Sequence, residues 1–197
     1  MEHKKIIEGL LFAAQEPLSL ARIQSILEGV EKASVRQALR ELATEYLESE
    51  RAFRLEEVAG GYQLRTLPEL APWLRKLRRE TPPKLSQASM ETLAVIAYRQ
   101  PVTRAEVEYI RGVDCGAVLR GLLEKGLLKI LGRKDVPGRP LLYGTTKRFL
   151  ELFGLKDLSS LPHLAEVEEL NQAEVPVEEP QHRNGQLDTD TEQEPSP

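Results

Sequence analysis

Three histidines, one cysteine and one loop of glycines and bases are the residues whose types could do chemistry. His3, His163 and His182 lie far apart, and none has a second His or Cys at ligand spacing, so no zinc site is expected. Cys115 beside Gly116 stands where a helix should begin, a place that lowers a thiol pKa. No histidine lies near it in sequence, and a small residue in a first helical turn is the commoner explanation. The run Gly132-Arg133-Lys134-Asp135-Val136-Pro137-Gly138-Arg139-Pro140 lacks the G-x-x-x-x-G-K-[ST] order of a phosphate loop. It also leads from one predicted strand into another instead of into a helix, so it reads as a wing. No catalytic residue, metal or cofactor is expected.

The remaining candidate chemistry is electrostatic. The whole chain carries a formal charge of −4, but ten of its 31 acids and only one base, Arg183, fall from Ala165 onward. That segment is therefore strongly acidic and the residues before it are net basic, with the excess bases gathered after Pro83. On the predicted wing, Arg133, Lys134 and Arg139 can contact phosphates without reading sequence. In the first half, Lys32, Arg36 and Arg40 recur every four residues along one helical face, interspersed with Glu31, Glu41, Glu45 and Glu48. Such a mixed face is read as solvated ahead of phosphate-binding. The corresponding helix of the second half offers only Arg120 and Lys125 among small residues, a poor set for reading base edges.

The elements that must position these groups follow from periodicity and breaks. Hydrophobic residues make up 41% of the chain and aromatics only 5%, which suits a helical protein built on Leu, Ile, Val and Ala. No apolar run approaches the roughly 20 residues that a membrane span needs. The lone cysteine excludes an intrachain disulfide, and a cytoplasmic protein is expected. A first helix is predicted over about 4–15. Ser19 caps a second with Leu20, Ile23, Ile26 and Leu27 inward, and a third spans about 32–49 with Val35, Leu39, Leu42, Tyr46 and Leu47 as its stripe. A hairpin turning at Gly60-Gly61 follows, then a short basic helix carrying Trp73.

Thr81-Pro82-Pro83 breaks the chain, and the pattern restarts. Ser86 opens a helix with Met90, Leu93, Ala94 and Ala97 inward. Thr103 caps the next, which contains Val107 and Ile110, and Asp114 is placed to cap a third with Val118, Leu119, Leu122 and Leu123 apolar. Strands at 127–131 and 141–145 flank the wing, and a short helix covers 147–153. Pro17-Leu18-Ser19 matches Pro101-Val102-Thr103 at an offset of 84, and Ala21, Ile23 and Ile26 then fall on Ala105, Val107 and Ile110. The reading is a mainly α protein with small β-hairpins, made of two tandem winged-helix (helix-turn-helix) domains. The expected limits are 1–80 and 85–162, with a linker at 81–84. The acidic remainder, 163–197, is expected to be disordered, because it has no apolar periodicity after Leu170.

The second half resembles the segregation and condensation protein B family. The resemblance is carried by Leu85-Ser86-Gln87-Ala88, by Glu91 through Glu106 (ETLAVIAYRQPVTRAE), by Ile110-Arg111-Gly112-Val113, by Gly132 through Thr146 (GRKDVPGRPLLYGTT) and by Phe149 through Leu155 (FLELFGL). The first half resembles the family more loosely, through Glu8-Gly9-Leu10-Leu11-Phe12-Ala13 and Glu16-Pro17-Leu18. The resemblance does not reach the acidic tail.

It implies a non-enzymatic adaptor in chromosome condensation and segregation, cytoplasmic and nucleoid-associated. The adaptor would be a homodimer joined through the first winged helix, with the second gripping the middle of a kleisin, segregation and condensation protein A. A structural-maintenance-of-chromosomes (SMC) ATPase would be reached through that kleisin. The residues the resemblance offers for kleisin contact are Tyr98, Arg99, Val102, Arg104, Tyr109, Arg133, Lys134, Arg139 and Tyr143. Tyr98 and Tyr143 read equally well as core residues, and Lys134 with Asp135 as a pair that shapes the wing. The other functional reading is a winged-helix DNA-binding transcription regulator, which the fold and the basic body support.

Overall fold

A computed structural model describes residues 3–78 and 85–163. The predicted proline linker and acidic tail lie outside them. The first half runs α1 (His3–Ala13), α2 (Leu20–Ile26), α3 (Lys32–Glu48), β1 (Phe53–Val58), β2 (Gly61–Thr66), a 3₁₀ turn at Pro68–Leu70 and α4 (Ala71–Arg78). The second runs α5 (Gln87–Arg99), β3 (Val102–Thr103), α6 (Arg104–Arg111), α7 (Gly116–Glu124), β4 (Leu128–Arg133), β5 (Leu141–Thr145), α8 (Lys147–Leu152) and a 3₁₀ turn at Leu158–Ser160. Each half is a winged helix: three helices closed by an antiparallel hairpin.

The offset-84 repeat has a structural basis. Ser19 caps α2 by accepting from the Arg22 amide, and Thr103 caps α6 in the same way from Glu106. The residue before each cap pairs with the returning wing strand, Leu18 with Tyr62 and Val102 with Tyr143. A single bridge in the first half and the two-residue strand β3 in the second therefore tie the helix pair to the wing.

Each half has its own core. Ile7 and Leu11 of α1 meet Ile23, Leu27, Val35, Leu39 and Leu42 in the first. Leu93 and Ile96 of α5 meet Val107, Leu119, Leu122, Leu128 and Phe149 in the second. Burying each such side chain contributes about 1.5–3 kcal/mol relative to exposure. Tyr46 is buried beside them, stacks edge-on against Phe53 with centroids 5.1 Å apart, and donates its hydroxyl to Glu8 Oε1 at 2.9 Å. Burial, and then the Glu8 carboxylate, push its phenol above the ordinary range.

Several residues expected inward are exposed: Ile26, Leu47, Met90 and Ala94. The expected stripes are wider than the faces that neighbouring elements cover. Leu47 follows buried Tyr46, and Ala94 follows buried Leu93, so a 100° step carries each of them outward. The hairpin also turns one residue earlier than expected. Ala59 and Gly60 hold the left-handed conformations, with φ of 52° and 72°, and Val58 pairs with Gly61. Gly61 serves a different need, since a Cβ there would lie 2.8 Å from the Leu18 carbonyl carbon.

The two halves touch through the tip of this first hairpin. The Ala59 and Gly60 amides donate to the carbonyls of Leu155 and Lys156, both at 2.9 Å. Gln63 Nε2 reaches Glu151 Oε1 at 3.2 Å, and Arg65 Nη2 reaches the Glu151 carbonyl at 2.6 Å. Val58 and Ala59 are buried at a hairpin tip that would otherwise face solvent.

Candidate functional site

The residues offered for partner contact lie at the end of α5, on β3, at both ends of α6, on the wing and on β5, and they play unlike parts. Thr103 and Glu106 form a complete capping box. The Thr103 amide and hydroxyl donate to Glu106 Oε2 at 2.7 and 2.8 Å, and the Glu106 amide donates to Thr103 Oγ1 at 3.3 Å. Lys134 of the wing reaches the other carboxylate oxygen, Glu106 Oε1, at 2.5 Å. The Lys134 ammonium and then the Thr103 donors hold the Glu106 carboxyl down at about 2. Lys134 thus ties the wing to α6.

The wing is internally braced. The Lys134 amide donates to the Pro140 carbonyl and the Arg139 amide to Val136, both at 2.9 Å. Arg133 Nη1 donates back to the Arg139 carbonyl at 3.0 Å. Arg139 itself is exposed, and its guanidinium has no hydrogen bond or ion pair among the described residues. Of the wing bases it is the one whose head group makes no bond.

Arg104 is committed to the fold. Its Nε donates to Glu108 Oε1 at 2.6 Å, and its Nη2 pairs with Asp114. Glu108 and then Asp114 raise its pKa, and Arg104 in turn lowers that of Glu108. These acids also begin α7: Glu108 accepts the Cys115 amide at 3.1 Å and Asp114 the Gly116 amide at 3.1 Å. The predicted Asp114 cap is therefore real in its bonding, although Cys115 occupies the N-cap position. The cysteine is fully buried, and burial pushes its thiol up, so it is no activated nucleophile.

Val102 and Tyr143 pair across β3 and β5 and are 4% and 8% exposed. They belong to the second core, which leaves them almost no surface for a partner. Tyr109, by contrast, is 89% exposed, and Ile110 and Val113 beside it are half-exposed. Tyr98 and Arg99 are exposed at the end of α5. Surface chemistry in the second half thus rests on Tyr98, Arg99, Tyr109 and Arg139, with Ile110 and Val113 added by the structure.

Two positioning residues were not singled out from sequence. Gln100 accepts the Thr145 amide at 2.8 Å and donates to the Ala97 carbonyl at 3.0 Å, fastening α5 to β5. Arg111 reaches Thr92 Oγ1 at 2.7 Å and Glu91 Oε2 at 2.5 Å, fastening α6 to α5. Both lie within the stretches that carry the family resemblance, which is the only sequence signal for them. Among the described residues no helix is long and apolar enough to cross a membrane, and no cluster of His, Cys, Asp or Glu could hold a metal.

Comparison with known proteins places these features in a family. Residues 5–164 match the family model described as segregation and condensation complex subunit ScpB. The segregation and condensation protein B of Syntrophotalea carbinolica is 55% identical over 170 residues, covering 86% of each chain. Among solved structures, ScpB from Mycobacterium tuberculosis is 35% identical, covering 78% of this chain and 96% of that one, with a TM-score of 0.37. A dimer of an ScpB N-terminal domain complexed with an ScpA peptide is 40% identical, covering 38% of this chain and 91% of that one, with a TM-score of 0.35. On the family match over residues 5–164 and the 55% identity, this chain belongs to the segregation and condensation protein B family.

Proposed function

We propose that this chain is a non-catalytic adaptor subunit of a condensin-like complex, acting in chromosome condensation and segregation on the nucleoid in the cytoplasm. Residues 1–80 join two copies, residues 85–162 hold the middle of the kleisin ScpA, and the SMC ATPase is reached through that kleisin. Family membership over residues 5–164 carries this reading, since the family is described as a subunit of the segregation and condensation complex. The geometry supports it on both halves. Phe12 and Leu47 leave large apolar groups on the outer faces of α1 and α3, 85% and 77% exposed, as a self-associating surface requires. Tyr109, Ile110 and Val113 do the same at the C-terminal end of α6, and aromatic anchors of this kind dominate binding energetics.

Co-expression with the kleisin, followed by size-exclusion chromatography, tests the reading. Co-elution that Tyr109→Ala weakens supports the placement on the second half. Separate elution of the two proteins at micromolar concentration overturns it.

A further inference from the structure

Two adjoining clefts lie along the junction of the halves. The larger, about 1110 Å³, is walled by β2 and α8, and the smaller, about 440 Å³, by the turn that enters α2. Glu16, Pro17 and Lys147 line both, so the two form one continuous surface. The fold gathers bases on it. The Thr146 hydroxyl donates to the Gly126 carbonyl at 2.6 Å, which fastens the start of α8 to the end of α7. Lys125 therefore comes beside Lys147 and Arg148, and a Cβ at Gly126 would meet the Arg148 Cδ at 3.7 Å. Arg22, in the first turn of α2, lines the smaller cleft with Lys147 from the first half. All four bases are exposed, and none of their head groups makes a hydrogen bond or ion pair among the described residues. With Arg65, the two clefts carry five bases against two acids, Glu16 and Glu151. The surface therefore holds a positive field that the acids beside it do not neutralise.

We propose that this junction binds the phosphate backbone of duplex DNA without reading its sequence. Phosphates would pair with Arg22, Lys125, Lys147 and Arg148. Unbraced head groups on flexible stems suit a run of phosphates better than a single anion held in fixed geometry. The larger cleft offers little to a peptide side chain. Ala59 and Leu127 are buried and Leu64 and Leu85 half-buried, which leaves Leu152 as its one exposed aliphatic group. Charge without a matching apolar floor selects a polyanion over an amphipathic acidic segment. The contact is separate from the wing, since Arg133, Lys134 and Arg139 line neither cleft. Its bases come from both halves, so the complete surface exists only while the hairpin tip holds residues 155–156. Bound DNA therefore favours the joined arrangement of the halves by its differential affinity for it.

The probe is a fluorescein-labelled DNA duplex of arbitrary sequence, titrated by anisotropy against the full-length chain at stepped salt. Each phosphate neutralised contributes about 0.9 to the slope of log affinity against log salt, so Lys147→Ala with Arg148→Ala is expected to lower it by about 1.8. Arg22→Ala is expected to lower it by about 0.9 from the other half. Arg36→Ala with Arg40→Ala removes two charges from α3, outside both clefts, and is expected to leave the slope unchanged. The duplex is also expected to slow hydrogen exchange at the Ala59 and Gly60 amides. Absence of binding at low salt overturns the site, as does a slope unaltered by Lys147→Ala with Arg148→Ala. An equal fall in the Arg36/Arg40 variant also overturns it, by marking bulk charge as the cause. Displacement of the duplex by poly-glutamate at a lower charge concentration than by unlabelled duplex would overturn it in favour of an acidic protein segment. A slope unaltered by Arg22→Ala, or unchanged exchange at the hairpin tip, overturns the part played by the first half.

Discussion

Arg65, on β2 of the first winged helix, donates through Nη2 to the main-chain carbonyl of Glu151 in α8 of the second, at 2.6 Å. The bond joins residues 86 positions apart, and with the two amides of the hairpin tip it fastens the halves by main-chain atoms more than by side-chain pairs. Arg65→Ala is expected to cost about 1 kcal/mol, the net contribution of one partly exposed charge-assisted bond. Hydrogen exchange locates the effect: the Ala59 and Gly60 amides should lose protection while the amides of α5 and α7 keep theirs. Unchanged protection at the tip would show that Arg65 fastens nothing.

Three glycines of the first half separate space from conformation. Gly61→Ala places a Cβ 2.8 Å from the Leu18 main chain, where no flexible side chain can yield, and is expected to destabilise by about 2–3 kcal/mol. Gly60→Ala meets nothing within 4 Å but must hold a φ of +72°, for about 1 kcal/mol. Gly9→Ala, in open space within α1, is expected to stabilise by about 0.5–1 kcal/mol. Denaturant midpoints in this order support the Leu18–Tyr62 bridge as a constraint, and equal costs at Gly60 and Gly61 would remove it.

The Glu106 carboxyl gives the second half an acid-sensitive contact. Its pKa is depressed to about 2 in the folded chain, against an ordinary value of 4.5. A depressed carboxyl contributes stability that is fully present above the unfolded pKa and is lost as pH falls through the folded one. The contribution should therefore fade between about pH 4.5 and pH 2. Glu106→Gln is expected to be less stable at neutral pH and to show a flatter acid limb over that window, read from urea midpoints at stepped pH. Parallel acid limbs in the two proteins would mean that Lys134 and Thr103 do not hold the carboxylate.

The repeat was legible because its signals are local: a proline stop, a capping hydroxyl three residues ahead of its target, and a glycine where α6 ends in a left-handed residue, Gly112. Helix order and both hairpins follow from those signals. What the sequence hid is what depends on neighbours. Ile110 and Val107 look equivalent on a helical wheel, but Val107 is fully buried while Ile110 is half-exposed. Val102 and Tyr143 sit inside a partner-rich motif, and the β3–β5 pairing turns both into the core. Arg104 and Arg139 are alike as sequence, yet Arg104 is used up by Glu108 and Asp114 while Arg139 stays uncommitted. The contacts between the halves could not be read, because they rest on carbonyls and amides that every sequence carries.

That difference among the bases sets an expectation for DNA. If the wing touches phosphate without reading sequence, Arg139 does so directly, and Arg133 acts mainly by holding the Arg139 carbonyl at 3.0 Å. Each phosphate neutralised contributes about 0.9 to the slope of log affinity against log salt on duplex DNA. Arg139→Ala is therefore expected to lower the slope by about 0.9 and to weaken binding equally across sequences. Arg133→Ala is expected to weaken binding with a smaller change of slope, because it loosens the loop more than it deletes a contact. Arg104→Ala, whose charge is already spent on two acids, should leave the slope alone while lowering stability. A slope unaltered by Arg139→Ala would move any DNA contact off the wing, and a slope lowered equally by all three would show that only net charge matters.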